Sequence, residues 1–277
     1  MSFEEEAVKA PPFAYAKAQS LAHAFELLEQ PGAKVLAGGQ SLIPSLNMRL
    51  SSPQLLVDIT GLSALRTITL EQAVVRIGAL VTHRQLEESE DIRKHVPLLA
   101  AAVPHVAHPA IRNRGTFGGS IALADPAAEY PACLVALNAS IVVQGKDGER
   151  IVPAEKFFKG LFEVDLRPGE LVVAAEIRAQ LKDERCAFLE LARRHGDYAI
   201  IGLAAVQSKG NRFIFFGAGS TPVFARNASQ EKDLGAARAA LARELDPPAD
   251  LYNSSATKRH LAGVLLERAW NQLTTSH

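Results

Sequence analysis

Two glycine pairs, Gly38-Gly39 and Gly118-Gly119, stand eighty positions apart. Each lies in a run of small residues that ends in a hydroxyl: Ala37-Gly38-Gly39-Gln40-Ser41 and Arg114-Gly115-Thr116-Phe117-Gly118-Gly119-Ser120. Such runs let backbone N–H groups converge on an anion and add a side-chain donor at the rim. One glycine pair mostly marks a turn. Two, each joined to apolar segments, point to a dinucleotide held at its pyrophosphate. The first run lacks the G-x-G-x-x-G order of a doubly wound nucleotide turn and the Lys-Ser/Thr ending of a P-loop, so the cradle is of another kind.

The elements around the runs are readable. Ser20 caps a helix in which Leu21, Phe25 and Leu28 recur at helical spacing, and Pro31-Gly32 stops it. Residues 34–36 form a strand that delivers the first glycine pair, and 55–59 form a second strand. Residues 74–80 read as a strand, Thr82 caps a short helix near 85–89, and 97–107 read as helix until Pro109. The second glycine run follows directly. Residues 127–138 have helical composition, 140–153 a hairpin turning at Lys146-Asp147-Gly148, and 170–177 a strand after Pro168-Gly169. Beyond 179 come a second hairpin, over 199–207 and 212–217, and helices over 230–245 and 255–273. A boundary near residue 177 therefore divides a mixed α+β part from a smaller sheet-plus-helices part.

Composition removes several classes of function. Thirty basic and thirty acidic residues cancel across 277 positions with no block of like charge, which disfavours nucleic acid or an anionic membrane as partner. Two cysteines, Cys133 and Cys186, are too few for a disulfide framework, an iron–sulfur cluster or a structural zinc, and suit a reduced, cytoplasmic chain. Residues 1–9 lack an apolar signal core, and no run reaches the ~20 apolar residues of a membrane span. His105 and His108 are bracketed by prolines with no completing carboxylate or thiol, so they read as loop residues and no metal is expected. Arg193 and Arg194 suit a strand-end salt bridge at least as well as a contact to a ligand's phosphate or carboxylate, and Cys133 reads as a small core residue. No nucleophile–base pair stands out, so no catalytic residue is assigned.

Four ordered motifs carry a resemblance. They are Ala37-Gly38-Gly39-Gln40-Ser41-Leu42-Ile43-Pro44, Ile111-Arg112-Asn113-Arg114 with the glycine run after it, Ala124-Asp125-Pro126-Ala127-Ala128-Glu129, and Arg193-Arg194-His195-Gly196-Asp197-Tyr198. Over nearly its whole length the chain resembles the FAD-binding medium subunit of the molybdenum hydroxylases, the group of carbon monoxide dehydrogenase and xanthine dehydrogenase. The resemblance implies an α+β fold: a vanillyl-alcohol-oxidase-type (PCMH-type) FAD-binding domain over 1–177, then the C-terminal flavoprotein domain over 178–277.

Carried over residue by residue, it implies that Ala37, Gly38, Gly39, Gln40 and Ser41, with Thr116, Phe117, Gly118, Gly119 and Ser120, hold the pyrophosphate of FAD. Glu129, and Asp125 beside it, would stand near the ribose of the adenosine half, and Tyr198 by the isoalloxazine ring. A carboxylate is a good acceptor for ribose hydroxyls, and an aromatic face covers a flavin. Asp125, before Pro126, also suits a turn residue. Leu123 stands where many relatives have His or Asn.

The family pattern further implies a small subunit with 2Fe-2S clusters, a large subunit with the molybdenum cofactor, a dimer of heterotrimers, and an external electron acceptor. A flavin carries its own redox chemistry, so the missing acid–base pair is no obstacle. Two rival readings remain: a non-redox nucleotide-binding or assembly module of the same fold, and a self-sufficient FAD oxidoreductase.

Overall fold

The computed structural model describes residues 10–275. The expectation for residues 1–9 lies outside them. The chain begins with strand β1 (Ala14–Lys17), helix α1 (Leu21–Leu28), β2 (Ala33–Leu36), helix α2 (Leu42–Asn47) and β3 (Leu55–Asp58). The strands form a parallel sheet in the order β1-β3-β2. Parallel pairing needs crossovers, which the two helices and the loops beside them supply. Ser20 caps α1 by accepting the His23 N–H, as its position before the apolar stripe predicts.

A five-stranded antiparallel sheet follows, built from β4 (Ile68–Glu71), β5 (Val74–Gly78), β6 (Ser140–Gly145), β7 (Gly148–Pro153) and, later in the chain, a long central strand, Leu171–Arg178. Between β5 and β6 runs a layer of helices: α3 (His83–Glu88), α4 (Glu90–His95), α5 (Pro97–Ala102), α6 (Pro109–Arg112), α7 (Phe117–Leu123) and α8 (Glu129–Ala136). Thr82 caps α3 in a full capping box with Gln85. Side-chain alternation divides the sheet's two faces. Ile141 and Val143 join the core under the helices, while Val142 faces the core shared with the small parallel sheet.

After a one-turn helix α9 (Ala154–Phe157) and the short hairpin β8 (Phe158–Gly160) and β9 (Glu163–Val164), the Leu171–Arg178 strand becomes β10. The chain then forms a four-stranded antiparallel sheet, β11 (Arg185–Ala192), β12 (Ala199–Gln207), β13 (Asn211–Phe216) and β14 (Val223–Phe224). Its outer face is covered by α10 (Arg226–Gln230), α11 (Leu234–Glu244) and α12 (Ser255–Thr274). Its inner face sends Phe188, Ala204, Val206, Ile214 and Phe216 into the same core as the helix layer. One hydrophobic cluster thus runs across residue 177.

Helix α8 lies at the centre, every residue from Glu129 to Ala136 buried. The Arg212 guanidinium donates to the Val135 and Ala136 carbonyls at its C-terminal end (2.8 and 3.1 Å), where a cation also suits the helix dipole.

Several elements depart from the sequence expectation. Strands β1 and β11 carry no turn signal that isolates them, and α2 hides behind Pro44. The helix expected over 97–107 stops at Ala102, and a 3-10 turn with Pro104 (Val103–His105) follows. The helix expected over 230–245 begins only at Leu234, where Asp233 caps it.

Candidate functional site

The two glycine runs touch. A β-carbon on Gly38 would lie 2.3 Å from the carbonyl oxygen of Arg114 and 2.9 Å from the Cα of Gly115. Only a residue without a side chain allows that approach. Gly39 turns the chain with φ +72°, a left-handed conformation that favours glycine. The first run leaves the C-terminal end of β2 and enters α2, and Leu36 pairs with Asp58, the last residue of β3. Residues 37–41 and the segment after Asp58 therefore share the carboxyl edge of a parallel sheet, a usual place for ligand sites in open sheets.

A groove of ≈ 500 Å³ lies at this edge, lined by residues 36–40, Ile43, Pro44, Asp58, Thr60 and Arg114. That volume is typical of small-molecule pockets, which span ~300–1,000 Å³. Among the described residues, the backbone N–H groups of Gly38, Gly39, Gln40 and Ser41 donate to no protein acceptor. The Gln40 side-chain amide donates to the Gly38 carbonyl (3.0 Å), which fixes the loop and keeps that oxygen from the groove's donors. Asp58 is buried and stays ionised. Burial opposes its charge, but hydrogen bonds from Thr60 and Tyr15 and the nearby Lys17 hold its carboxyl below the usual range. Tyr15 Oη donates to it at 2.5 Å.

The second run is built differently. Thr116 Oγ1 accepts the Gly119 N–H (3.2 Å) and caps α7. The Phe117 N–H goes to Val81 O and the Gly118 N–H to Ala79 O (both 2.8 Å), and the Ser120 N–H goes to Thr116 O (3.0 Å). These four donors are committed within the protein. Phe117 is fully buried, with its ring 5.2 Å from that of Tyr130, and Gly118 lies so close to strand-end Ala79 that a β-carbon would come within 2.4 Å. Behind the run, His83 is buried with Nδ1 3.1 Å from Tyr130 Oη, and burial, then Arg112, lowers its pKa to about 4, so it is neutral. A β-carbon on Gly115 would meet His83 Nε2 at 2.6 Å.

Gly119, Ser120, Ala122 and Leu123 of α7 keep solvent contact. The helix leads from the groove toward Ala124, whose left-handed backbone ends it, and then to Asp125, Glu129 and Tyr198. These three residues lie outside the groove and sense one another's charge. Asp125 accepts the Ala127 N–H (2.8 Å) in a turn, and burial raises its pKa. Glu129 opens α8 as a buried carboxyl whose pKa is raised to about 7, chiefly by burial and further by Asp125. Tyr198 is 75% exposed on the 193–198 loop. Gly217 N–H donates to Pro126 O (2.8 Å) and ties the four-stranded sheet to this corner.

Among residues the sequence reading did not assign, Arg114 and Asp58 line the groove. Arg114 adjoins the glycine run and was open to notice. Asp58 needed the β2–β3 pairing. Among the described residues no cluster of His, Cys, Asp or Glu could hold a metal ion, and no helix is long and apolar enough to cross a membrane.

Comparison with known proteins gives consistent results. The family described as the FAD binding domain in molybdopterin dehydrogenase matches residues 11–177. The 6-hydroxypseudooxynicotine dehydrogenase complex subunit alpha of Paenarthrobacter nicotinovorans is 39% identical over 278 residues, covering 94% of each chain. Among solved structures, carbon monoxide dehydrogenase from Hydrogenophaga pseudoflava superposes with a TM-score of 0.91 at 34% identity, covering 95% of this chain and 98% of the other. Quinoline 2-oxidoreductase from Pseudomonas putida 86 gives 0.90 at 34% identity, covering 96% and 98%.

Proposed function

The chain belongs to the FAD-binding family of the molybdopterin dehydrogenases, and from that premise we propose that it is the electron-transfer subunit of a heterotrimeric molybdenum hydroxylase. Its FAD receives electrons from 2Fe-2S clusters on a small partner and passes them to an external acceptor, while a large partner carries the molybdenum cofactor and the substrate pocket. Residues 1–177 serve as the flavin domain and 178–277 as the C-terminal domain that completes it. Two unpaired thiols, one buried and one half-buried, suit a cytoplasmic setting.

The observation that carries this reading is the row of uncommitted N–H groups at 38–41, set against the second run where Gly38 meets Arg114. The residues fit the cofactor. Backbone donors hold a pyrophosphate with little added positive charge, and Arg114 supplies one guanidinium at the rim. The second run contributes its hydroxyls, Thr116 and Ser120, and its bare glycine surface, since its own N–H groups are bound elsewhere. Asp58 is engaged by Tyr15 and Thr60 and shapes the groove wall. Gly119, Ser120 and Leu123 would line the dinucleotide beyond the groove. Asp125 and Glu129 would accept ribose hydroxyl hydrogens, and Tyr198 would cover the ring system. Bound there, FAD supplies reversible hydride-level and single-electron chemistry.

The test is the chain purified together with the products of its neighbouring genes. Substrate of the large partner should bleach the flavin absorbance of this subunit. Flavin that stays oxidised while the partner's clusters are reduced would overturn the electron-transfer role.

A further inference from the structure

Tyr198 is 75% exposed, so the loop that carries it, more than core packing, sets where its ring stands. That loop, residues 193–198, joins β11 to β12 and is pinned from two sides. On the side of the helix layer, Gly196 takes a left-handed backbone (φ +78°) at a point where a β-carbon would come 2.5 Å from Ala107 O. The His195 ring lies 5.6 Å from that of His105. Within the loop, Asp197 Oδ1 accepts the Tyr198 N–H (3.0 Å), and Asp197 Oδ2 stands 3.6 Å from the Arg193 guanidinium. The same guanidinium lies over the Tyr252 ring, 4.5 Å from its centre. Arg193 thus ties the loop to a segment far along the chain.

Tyr252 belongs to the turn ahead of α12, and one carboxylate organises that turn. Asp250 Oδ1 accepts the Tyr252 and Asn253 N–H groups (both 2.8 Å), while Oδ2 meets the Lys258 ammonium at 2.8 Å. Lys258 is buried in the first turn of α12, where burial and the helix dipole both disfavour a cation, so its place there depends on acceptors. Asp250 is the first of them. The Lys258 bond, and then the Tyr252 N–H, hold the Asp250 carboxyl well below the usual carboxylate range. The second acceptor is the Gly217 carbonyl (3.5 Å). Gly217 donates its N–H to Pro126 O (2.8 Å), and its left-handed backbone (φ +69°) lies so close to β12 that a β-carbon would meet Ile200 O at 2.9 Å and Ala199 O at 3.3 Å. Ala199 directly follows Tyr198. One buried ammonium therefore serves both flanks of Tyr198: the Asp250 turn with Tyr252 and Arg193 on one, and Gly217 against the start of β12 on the other.

We propose that Tyr252 and Arg193, anchored by Asp250 and Lys258, are positioning residues that hold Tyr198 over the flavin. This rests on the reading above that Tyr198 covers the ring system of bound FAD. It gives the segment before α12 a part in the site, because the contact that steadies the 193–198 loop comes from there. The strut is a fine adjustment. A cation over an aromatic ring at the surface changes an equilibrium by only a few-fold, so its loss lets the loop lift more often without unfolding the chain.

The test compares Tyr252→Ala and Tyr252→Phe in the FAD-loaded full chain, each alone and on a Tyr198→Ala background. Two quantities are read: the iodide quenching constant of bound-FAD fluorescence and, in the FAD-free chain, the rate of trypsin cleavage after Arg193 and Arg194. Tyr252→Ala is expected to raise both roughly two- to fivefold. Tyr252→Phe keeps the ring under Arg193 and should behave as the parent. On the Tyr198→Ala background, Tyr252→Ala should add nothing to the iodide quenching, a result that a general loosening of the fold does not produce. Parental values of both quantities in Tyr252→Ala, or equal changes in Tyr252→Phe, would overturn the strut. Faster cleavage with parental quenching, or quenching that adds on the Tyr198→Ala background, would overturn the positioning of Tyr198. Failure of the parent chain to retain FAD would overturn the flavin reading and the positioning role with it, while the cleavage rates would still show whether Tyr252 holds the loop.

Discussion

The carbonyl oxygen of Arg114 lies 2.3 Å from where a β-carbon on Gly38 would stand, so the two glycine runs are in backbone contact. A methyl group there cannot be absorbed by a side-chain rotation, because the obstacle is backbone. Gly38→Ala should cost about 1–3 kcal/mol of stability and weaken FAD binding at least roughly tenfold. Gly39→Ala meets only the movable ends of Ile43 and Leu36, and its cost is the left-handed φ, about 1–2 kcal/mol. Urea denaturation and flavin fluorescence quenching on both variants separate the two effects. Gly38→Ala is expected to be the more damaging to binding.

Thr116 holds the start of α7 through the Gly119 N–H. Thr116→Val removes the acceptor and should destabilise the chain by about 1 kcal/mol, while Thr116→Ser should retain most of the stability and the binding. Denaturation midpoints on the pair check this.

Buried groups of opposite sign set the pH dependence, and Glu190, raised to about 8 by burial and then by Glu129, acts in the same direction as Glu129. Glu129 is raised from 4.5 to about 7, so its contribution is full below pH 4.5 and is lost as pH rises to about 7. The loss amounts to about 3 kcal/mol. His83 is lowered from 6.5 to about 4, so its contribution is full above pH 6.5 and is lost as pH falls toward 4. Glu129→Gln should reduce the decline between pH 4.5 and 7, leaving the part due to Glu190, and should leave the acid-side loss in place. Denaturant unfolding across that range in the FAD-free chain measures both.

Tyr198 is 75% exposed, so Tyr198→Ala should change stability by no more than about 0.5 kcal/mol. If the ring covers the flavin, the same substitution should raise the fluorescence of bound FAD and expose it to quenching by iodide.

Much of this arrangement was legible in the sequence because local chemistry wrote it. Ser20, Thr82 and the Lys146-Asp147-Gly148 turn announce their elements, and the glycine runs announce close backbone approach. Strand pairing was not legible, since it joins residues far apart in the chain. Asp58 reaches the groove only because β3 lies beside β2. Glu190 looks like an ordinary strand charge until β11 is placed against the helix layer, and His105 and His195 come together across ninety positions of sequence. The committed N–H groups of Phe117 and Gly118 were equally hidden, because their acceptors, Val81 and Ala79, belong to another segment.

The central claim is that the row of open donors at 38–41, backed by the second run, holds FAD. Titration of the purified full-length chain with FAD, followed by fluorescence quenching and by absorbance after gel filtration, tests it most directly. The account predicts saturation at one FAD per chain for the parent and a large loss of affinity for Gly38→Ala. No retained flavin in the parent, or equal affinity in Gly38→Ala, would contradict it.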